Sequence, residues 1–276
     1  MIVEQAPAKL NLALHVRARR PDGYHELETL FVFVRDGDTL TLAPADQDSF
    51  EVTGAMAGAL SGEGDNLVTR ARDRFRAEIA QTGPLAIRLE KRLPVASGLG
   101  GGSADAAATL RAMARMSGVA LDDPRLFACA AALGSDIPAC LLGLSAIGTG
   151  RGEELVEVAG PGEWAVLLVN PRVAVPTGPV FAAWDRVDRG PLPEGSALDI
   201  AMQGRNDLQP PAIAIAPVIG EVLAELSACE GVKLARMSGS GATCFALFVD
   251  EDARTAAARA IEARHPDWWC LETALA

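Results

Sequence analysis

Three stretches of the sequence combine residue types and spacings that could bind a phosphate group and act on it. The most informative stretch covers residues 94–104, where glycine occupies four of the five positions 98–102. Because glycine has no Cβ atom, such a backbone can pass close to a ligand. A helix that begins beside these glycines adds free N–H groups and a favourable dipole, which attract phosphate oxygens. We therefore predict a phosphate-binding loop formed by Pro94, Val95, Ala96, Ser97, Gly98, Leu99, Gly100, Gly101, Gly102, Ser103 and Ala104.

This loop differs from two common nucleotide-binding loops. The P-loop requires Gly-Lys followed by Ser or Thr, and none of Lys9, Lys91 and Lys233 precedes Ser or Thr. The dinucleotide fingerprint requires a third glycine where this chain has Ser103, which we expect to be the N-cap of the following helix. The alternative is a glycine-rich turn without a ligand. A tight turn needs fewer glycines, however, and each one costs chain entropy on folding.

A lysine and an aspartate are the candidates for acid–base and charge chemistry. Lys9 lies in an apolar strand pattern, next to Asn11 and opposite the alternating leucines of residues 10–14. It could extend its ammonium to the surface, as lysines commonly do, or reach into a polar cleft. Asp136 lies between two apolar runs. It could cap a helix in solvent, or it could act as a base near the phosphate site.

Two turns are further candidates. Residues 21–25 contain Pro-Asp-Gly, a strong turn sequence, followed by Tyr24 and His25. They could form a surface loop with an anchoring aromatic residue or part of a binding site. The small residues Ser238, Gly239, Ser240 and Gly241 form a longer connection than a hairpin needs. They could be a flexible hairpin tip or a second loop that closes over the ligand of the first.

The elements that position these residues can be read from periodicity. Alternating apolar residues predict a strand at 85–90, and strong helix formers predict a helix at 104–116. Residues 2–16 are predicted to form either a strand pair or one long bent strand. We also predict strands at 30–34, 39–42, 165–169, 232–237, 243–249 and 271–273, and helices at 66–80, 124–133, 177–184, 213–226 and 253–263. Residues 185–204 are expected to be a loop, and those after residue 42 a polar connection through Gly64. Strands and helices alternate irregularly, which predicts an α+β fold in two lobes, residues 1–155 and 156–276.

Composition limits the classes of function. The 276 residues are 49% hydrophobic and 22% charged, as in soluble globular proteins, and carry a net charge of −11. This charge disfavours nucleic acid as a partner. The five cysteines show no metal-binding or disulfide spacing. Because we find neither a signal peptide nor an apolar run of about 20 residues, we expect a cytoplasmic protein without a membrane partner. The sequence leaves the oligomeric state open.

Three stretches together resemble the GHMP kinase superfamily: residues 7–12, 94–107 and 236–245. Within it, residues 19–25, 133–138, 171–177 and 206–208 are similar to members that phosphorylate a cytidine diphosphate alcohol. The resemblance implies a two-lobed α/β fold with an N-terminal ribosomal protein S5-like lobe and a C-terminal ferredoxin-like α/β lobe. It also implies ATP and Mg²⁺, and transfer of the γ-phosphoryl group to the 2-hydroxyl of 4-(cytidine 5′-diphospho)-2-C-methyl-D-erythritol.

The resemblance also implies roles for individual residues. Asp136 matches the carboxylate that takes or orients the hydroxyl proton, Lys9 matches the catalytic lysine, and residues 94–104 match the ATP phosphate loop. The substrate-binding positions would be Asn11, Tyr24, His25, Pro176, Thr177, Ser238, Gly239, Ser240 and Gly241. Many relatives have a second serine where this chain has Ala104, and a smaller residue at Ser97, so the side chain that holds the metal stays unassigned. The alternatives are another GHMP kinase, acting on homoserine, mevalonate or a sugar, and a nucleotide sensor without catalysis.

Overall fold

A computed structural model of the chain describes residues 1–60 and 66–276. Two compact units are present. The first unit comprises Met1–Ala8, Asp36–Val95 and Gly100–Gly143, and the second unit comprises Lys9–Arg35, Ala96–Leu99 and Leu144–Ala276. The division of the chain at residue 155 that the sequence suggested remains a prediction.

Two long strands, β1 (Ile2–Arg19) and β2 (His25–Pro44), are hydrogen-bonded to each other and contribute residues to both units. The sequence predicted two separate strands within β2, but the chain stays extended between them. Between the two predicted strands, at Gly37, the backbone of β1 approaches so closely that a Cβ atom would lie 2.1 Å from the carbonyl oxygen of Ala6. In β1 the face opposite the leucines is also buried, so that Lys9 and Asn11 are only 3% and 2% exposed.

The first unit combines strands with helices that lead up to and away from the glycine loop. Strand β4 pairs antiparallel with residues 39–44 of β2 and parallel with β3. Asn66 caps the first helix by accepting a hydrogen bond from the amide of Val68. The elements are β3 (Ser49–Thr53), a 3₁₀ turn (Ala57–Leu60), α1 (Leu67–Glu78), β4 (Leu85–Glu90), α2 (Gly101–Ser117), α3 (Pro124–Leu133) and α4 (Ile137–Leu142).

The second unit contains two groups of strands. Residues 29–31 of β2 pair with β5, which pairs with β6, and a separate sheet has the strand order β10-β7-β9-β8. Apolar side chains of β7 and β9 pack with those of α8 and α9 to form its core. The elements are β5 (Ala146–Thr149), β6 (Glu154–Glu157), β7 (Ala165–Asn170), α5 (Thr177–Ala182), α6 (Ala197–Gln203), α7 (Gln209–Ile215), α8 (Val218–Ser227), β8 (Val232–Met237), β9 (Cys244–Phe248), α9 (Glu251–Arg264) and β10 (Trp269–Ala274).

Three further predictions of secondary structure are wrong. Helix α6 lies in the segment predicted to be a loop, where Ser196 and Asp199 form a reciprocal capping box. The helix predicted at 213–226 is two helices, because Pro217 lacks the amide that a continuous helix would require. Strand β3 lies in the predicted polar connection, whose residues 61–64 are outside the described part. Among the residues that the structure describes, no helix is long and apolar enough to span a membrane.

Candidate active site

The glycine loop leads into helix α2, which begins three residues earlier than a cap at Ser103 would require. Gly100 is the N-cap, with a left-handed φ of 65°, and its carbonyl accepts the first helical hydrogen bond from the amide of Ala104 at 2.8 Å. The prediction that Ser103 caps the helix is therefore wrong. The amides of Gly101, Gly102 and Ser103 precede the first helical hydrogen bond and point back along the helix axis. These amides form a helix N-terminus, which is a favourable place for an anion.

A buried ionic network of Lys91, Asp38 and Asp105, called here the lysine network, holds both ends of the loop in the first unit. The Lys91 ammonium donates hydrogen bonds to Oδ2 of Asp38 and, at 2.9 Å, to Oδ2 of Asp105 in α2. Asp38 Oδ1 accepts hydrogen bonds from the amides of Arg92 and Leu93, at 2.6 and 2.9 Å, just before Pro94. All three ionic side chains are at most 4% exposed. The network thus fixes the residues on either side of the loop.

Burial and the neighbouring Asp38 carboxylate raise the pKa of Asp105 to about 7, although the Lys91 ammonium acts in the opposite direction. Oδ1 of Asp105 is buried and has no hydrogen-bond partner in the described part of the chain. A Cβ atom on Gly101 would lie 3.2 Å from the Lys91 ammonium. The first residue of α2 therefore has little room for a side chain above this network.

In the second unit the first part of the glycine loop packs directly on the second glycine loop. Gly98 has a φ of +80°, and a Cβ atom there would lie 2.4 Å from the carbonyl oxygen of Ser238. The Ser238 hydroxyl donates a hydrogen bond to the Gly98 carbonyl at 3.0 Å, and the amide of Thr243 donates to the Ser97 carbonyl at 3.0 Å. The Ser97 hydroxyl is buried and finds no partner among residues 1–60 and 66–276.

Strand β1 joins this pair of loops through main-chain and side-chain hydrogen bonds. The amide of Lys9 donates to the Leu99 carbonyl at 2.9 Å, and the amide of Asn11 donates to the Ser238 hydroxyl at 3.3 Å. The Lys9 ammonium donates to Oδ1 of Asn11 at 2.8 Å and lies 5.4 Å from the centroid of the Phe31 ring. Residues from three separate predicted motifs therefore meet in the second unit.

Short helix α5 brings two further predicted positions to the same unit. Pro176 is its N-cap, and the Thr177 hydroxyl lies 3.0 Å from the Ser240 hydroxyl, within hydrogen-bond distance. The ring of His25 packs against Phe181 of this helix, with 5.0 Å between centroids, and makes a T-shaped contact with Trp184 at 5.8 Å. Burial and the charge of Arg19 lower the pKa of His25. A neutral imidazole with one donor and one acceptor therefore predominates near neutral pH.

Tyr24 and Asp136 are the remaining predicted residues. Tyr24 is 55% exposed, in the turn formed by Pro21, Asp22 and Gly23, with the Arg151 guanidinium 4.9 Å from its ring centroid. Asp136 precedes α4 in the first unit and is half-buried. Its side chain makes no capping hydrogen bond to that helix, so the helix-capping alternative is wrong. Within the described residues, no three His, Cys, Asp or Glu side chains cluster as a metal site.

Comparison with known proteins identifies the family. Residues 66–144 match the model of the GHMP kinases N terminal domain, and residues 195–267 match that of the GHMP kinases C terminal domain. The 4-diphosphocytidyl-2-C-methyl-D-erythritol kinase of Rhizorhabdus wittichii is 55% identical over 276 residues, which cover 99% of this chain and 94% of that protein. The chain belongs to the 4-diphosphocytidyl-2-C-methyl-D-erythritol kinase family.

Solved structures agree with membership of this family. A crystal structure of 4-(cytidine 5′-diphospho)-2C-methyl-D-erythritol kinase is similar with a TM-score of 0.84 and 34% identity, covering 99% of both chains. Homoserine kinase from Cytophaga hutchinsonii is similar with a TM-score of 0.71 and 18% identity, covering 99% of this chain and 93% of that one. The second similarity supports only the shared fold. The α+β fold of GHMP kinases expected from the sequence is therefore confirmed.

The kinase family motifs did not reveal several residues that contact the site. Phe181 and Trp184 contact His25, Thr29 contacts Asn11, and Lys91 contacts Asp105. A signal existed for Lys91, because it is one of very few lysines and lies just before Arg92, Leu93 and the start of the loop. No comparable signal existed for the other three, because aromatic residues and threonines at such positions are ordinary components of a core.

Proposed function

We propose that this chain transfers the γ-phosphoryl group of ATP to the 2-hydroxyl of 4-(cytidine 5′-diphospho)-2-C-methyl-D-erythritol. The observation that carries the proposal is the meeting of Gly98, Ser238 and the strand of Lys9 and Asn11 in one unit. These residues belong to the motifs expected to bind ATP, the substrate and the transferred group. The names of the 55% identical relative and of the similar crystal structure support the choice of substrate.

The triphosphate of ATP would be bound mainly by main-chain amides of the loop. The amides of Gly101, Gly102 and Ser103 begin α2 without helical acceptors, where the helix dipole favours negative charge. The buried Ser97 hydroxyl has no partner in the described part of the chain and could donate to a phosphate oxygen. Such local donors are needed because the net charge of −11 would otherwise repel a triphosphate.

Asp136 and Lys9 would act on the acceptor and the transferred group. The acceptor oxygen forms a bond to the γ-phosphorus while the bond from that phosphorus to the bridging oxygen of ADP breaks. Asp136 would receive the hydroxyl proton, and Lys9 would offset the negative charge that develops on the phosphoryl oxygens. Phosphoryl transfer depends mostly on such positioning and charge stabilisation. Asn11 supports this role because its Oδ1 accepts a hydrogen bond from the Lys9 ammonium.

Tyr24 and His25 would bind the cytosine, and Phe181 would extend their aromatic surface. A neutral His25 can donate one hydrogen bond and accept another, which suits the edge of a base. Thr177 and Ser240 present adjacent hydroxyls on α5 and the second glycine loop. We propose that they bind the polar part of the alcohol.

We propose Mg²⁺ as the cofactor of this reaction. It usually binds one or two carboxylates together with substrate phosphates, rather than a preformed protein site. When bound, it would neutralise phosphate charge. The residues that hold it stay unassigned, and the cytoplasmic location and the lack of nucleic-acid and membrane partners remain predictions.

An acceptor comparison tests the proposed function. The protein is incubated with ATP and Mg²⁺ plus the cytidine diphosphate alcohol, homoserine or mevalonate, while ADP release is followed and phosphorus NMR locates the new phosphate. We expect turnover of the cytidine diphosphate alcohol with phosphate on its 2-hydroxyl, and at least about 100-fold less with Asp136→Ala. Turnover of homoserine or mevalonate alone would contradict the substrate. ATP binding without any transfer would indicate a sensor.

A further inference from the structure

Asn206 lies in a sequence motif to which the proposed function assigns no task. Its side chain is 5% exposed and lies in the second unit. The Nδ2 group donates one hydrogen bond to the Met237 carbonyl and one to the Gly239 carbonyl, each at 2.8 Å. Oδ1 accepts a hydrogen bond from the amide of Leu208 at 2.9 Å. Both amide hydrogens are thus used on the second glycine loop, and the oxygen anchors the side chain to its own segment.

The three partners of this side chain allow only one orientation of the amide group. If the group were rotated by 180°, its oxygen would face two carbonyl oxygens and its nitrogen would face the amide of Leu208. Donors and acceptors would then be mismatched at all three contacts. Because the polar groups are buried, each mismatch would carry the penalty of an unsatisfied hydrogen bond.

The position of the second glycine loop in turn affects the first. The Ser238 hydroxyl donates to the Gly98 carbonyl at 3.0 Å. The contact is close on both sides, because a Cβ atom on Gly98 would lie 2.4 Å from the Ser238 carbonyl and one on Gly239 would lie 3.2 Å from the Gly98 carbonyl. Backbones in such contact cannot shift independently by an ångström without either overlapping or losing the hydrogen bond.

We propose that Asn206 is a positioning residue for the nucleotide. By holding the Met237 and Gly239 carbonyls it fixes the second glycine loop, and through the Ser238 hydroxyl it fixes Gly98 of the phosphate loop. This inference rests on the proposed function, since it takes residues 94–104 to be the loop that binds ATP. Asn206 touches neither the nucleotide nor the acceptor in this role.

Asn206→Asp tests the proposal with little change of shape. The carboxylate keeps an acceptor for the amide of Leu208 but turns an oxygen toward the two loop carbonyls. Asp207→Asn is the matched control, because Asp207 is equally buried and accepts hydrogen bonds from the amide of Val16 and the guanidinium of Arg205 instead of the loop. If Asn206→Asp does not fold, Ser238→Ala replaces it, since this variant removes the hydroxyl that joins the loops.

The measurement is the equilibrium binding of ADP with Mg²⁺ by titration calorimetry, alongside the unfolding free energy of each variant and hydrogen exchange of the amides of Gly241 and Thr243. We expect Asn206→Asp to weaken ADP binding by about tenfold or more, since small misplacements of binding groups have effects of this size, and to speed exchange at both amides. Asp207→Asn is expected to keep the ADP dissociation constant within about twofold.

The outcomes separate this inference from the proposed function. Unchanged ADP binding by Asn206→Asp, or by Ser238→Ala if that variant replaces it, overturns the positioning role. An equal loss in Asp207→Asn also overturns it, because general destabilisation then explains the effect. Failure of the wild-type protein to bind ADP overturns the proposed function itself. If the wild-type protein binds ADP but does not phosphorylate the cytidine diphosphate alcohol, the proposed acceptor is wrong. ADP binding by the variants then still tests the role of Asn206.

Discussion

The ammonium of Lys9 donates a 2.8 Å hydrogen bond to Oδ1 of Asn11, two residues along the same strand. Asn11 is oriented in turn, because its Nδ2 donates to the Thr29 hydroxyl at 2.8 Å and that hydroxyl donates to the Ala13 carbonyl at 2.7 Å. Each group in this chain of hydrogen bonds sets the direction of the next. The direction of the proposed catalytic ammonium therefore depends on a threonine outside the motif.

Thr29→Val keeps the side-chain shape and removes the acceptor for Asn11. A hydrogen bond is worth about 1 kcal/mol, so we expect kcat to fall roughly fivefold with little change in the KM for ATP. Steady-state kinetics with both substrates measure this. Thr39→Val is the control, because the Thr39 hydroxyl donates its hydrogen bond to the exposed Gln5 side chain and not to a group of the proposed site. Equal kcat values for the two variants would contradict the proposed alignment.

Asp136→Ala is expected to lower kcat by roughly 10² to 10⁴, as for a positioned acid–base group. ADP binding should persist, because the proposed role concerns the acceptor proton. Asp123→Ala provides the control, since Asp123 precedes α3 and its side chain caps that helix. That variant should lose stability but keep its turnover. Wild-type kcat in Asp136→Ala would remove this residue from the mechanism.

Phe181→Leu should raise the KM for the cytidine diphosphate alcohol and leave the KM for ATP unchanged. The ring packs on His25 with 5.0 Å between centroids, and base stacking on an aromatic side chain is worth about 1–3 kcal/mol. We therefore expect a roughly 5- to 150-fold increase in this KM. Phe50→Leu in β3 is the control, because it makes the same change at another half-buried phenylalanine. An increase in the KM for ATP alone would indicate that Phe181 binds ATP and not the cytosine.

Asp105 should make the free energy of unfolding decrease as the pH rises. Its pKa is raised from 3.8 to about 7, mainly by burial, so between these values the folded state binds more protons than the unfolded state. The raised pKa then lowers the unfolding free energy as pH increases from about 4 to 7, by at most about 1.4 kcal/mol per pH unit. In Asp105→Asn this contribution disappears.

Denaturant unfolding of both proteins at pH 5, 6, 7 and 8 measures this contribution. Relative to the wild type, Asp105→Asn should gain stability as the pH rises through this range. Glu4→Gln in β1 is the control, because Glu4 pairs with Arg111 and Arg115 of α2 instead of with Lys91. A wild-type profile parallel to that of Asp105→Asn would show that Asp105 titrates normally.

Gly98→Ala and Gly102→Ala should change stability in opposite directions. At Gly98 a Cβ atom would meet the Ser238 carbonyl at 2.4 Å in a left-handed conformation that costs about 1–2 kcal/mol by itself. At Gly102 the nearest atom is Leu67 Cδ1 at 3.5 Å, and alanine in a helix gains up to about 1 kcal/mol. Unfolding free energies of both variants test this, and a stable Gly98→Ala would contradict the loop packing.

The sequence by itself determined the parts of this protein that depend on short stretches. The glycines of residues 98–102 indicate a backbone that other groups approach closely. The alternating apolar residues at 85–90 predicted β4 with the bounds that the structure shows. The motifs at residues 7–12, 94–107 and 236–245 were sufficient to indicate the superfamily, because a reaction that needs fixed residue types at fixed spacings leaves them in the sequence.

Only the tertiary structure decided which distant residues support those motifs. Asn206 and Met237 lie 31 residues apart, and Thr29 and Asn11 lie 18 apart, so no local pattern relates them. The start of α2 at Gly101 could not be predicted from the local sequence either. Contacts of the lysine network and the left-handed conformation of Gly100 place the start of the helix there, although Ser103 is the better capping residue. Burial removes water as a partner for polar groups, and the fold then selects which polar groups satisfy one another.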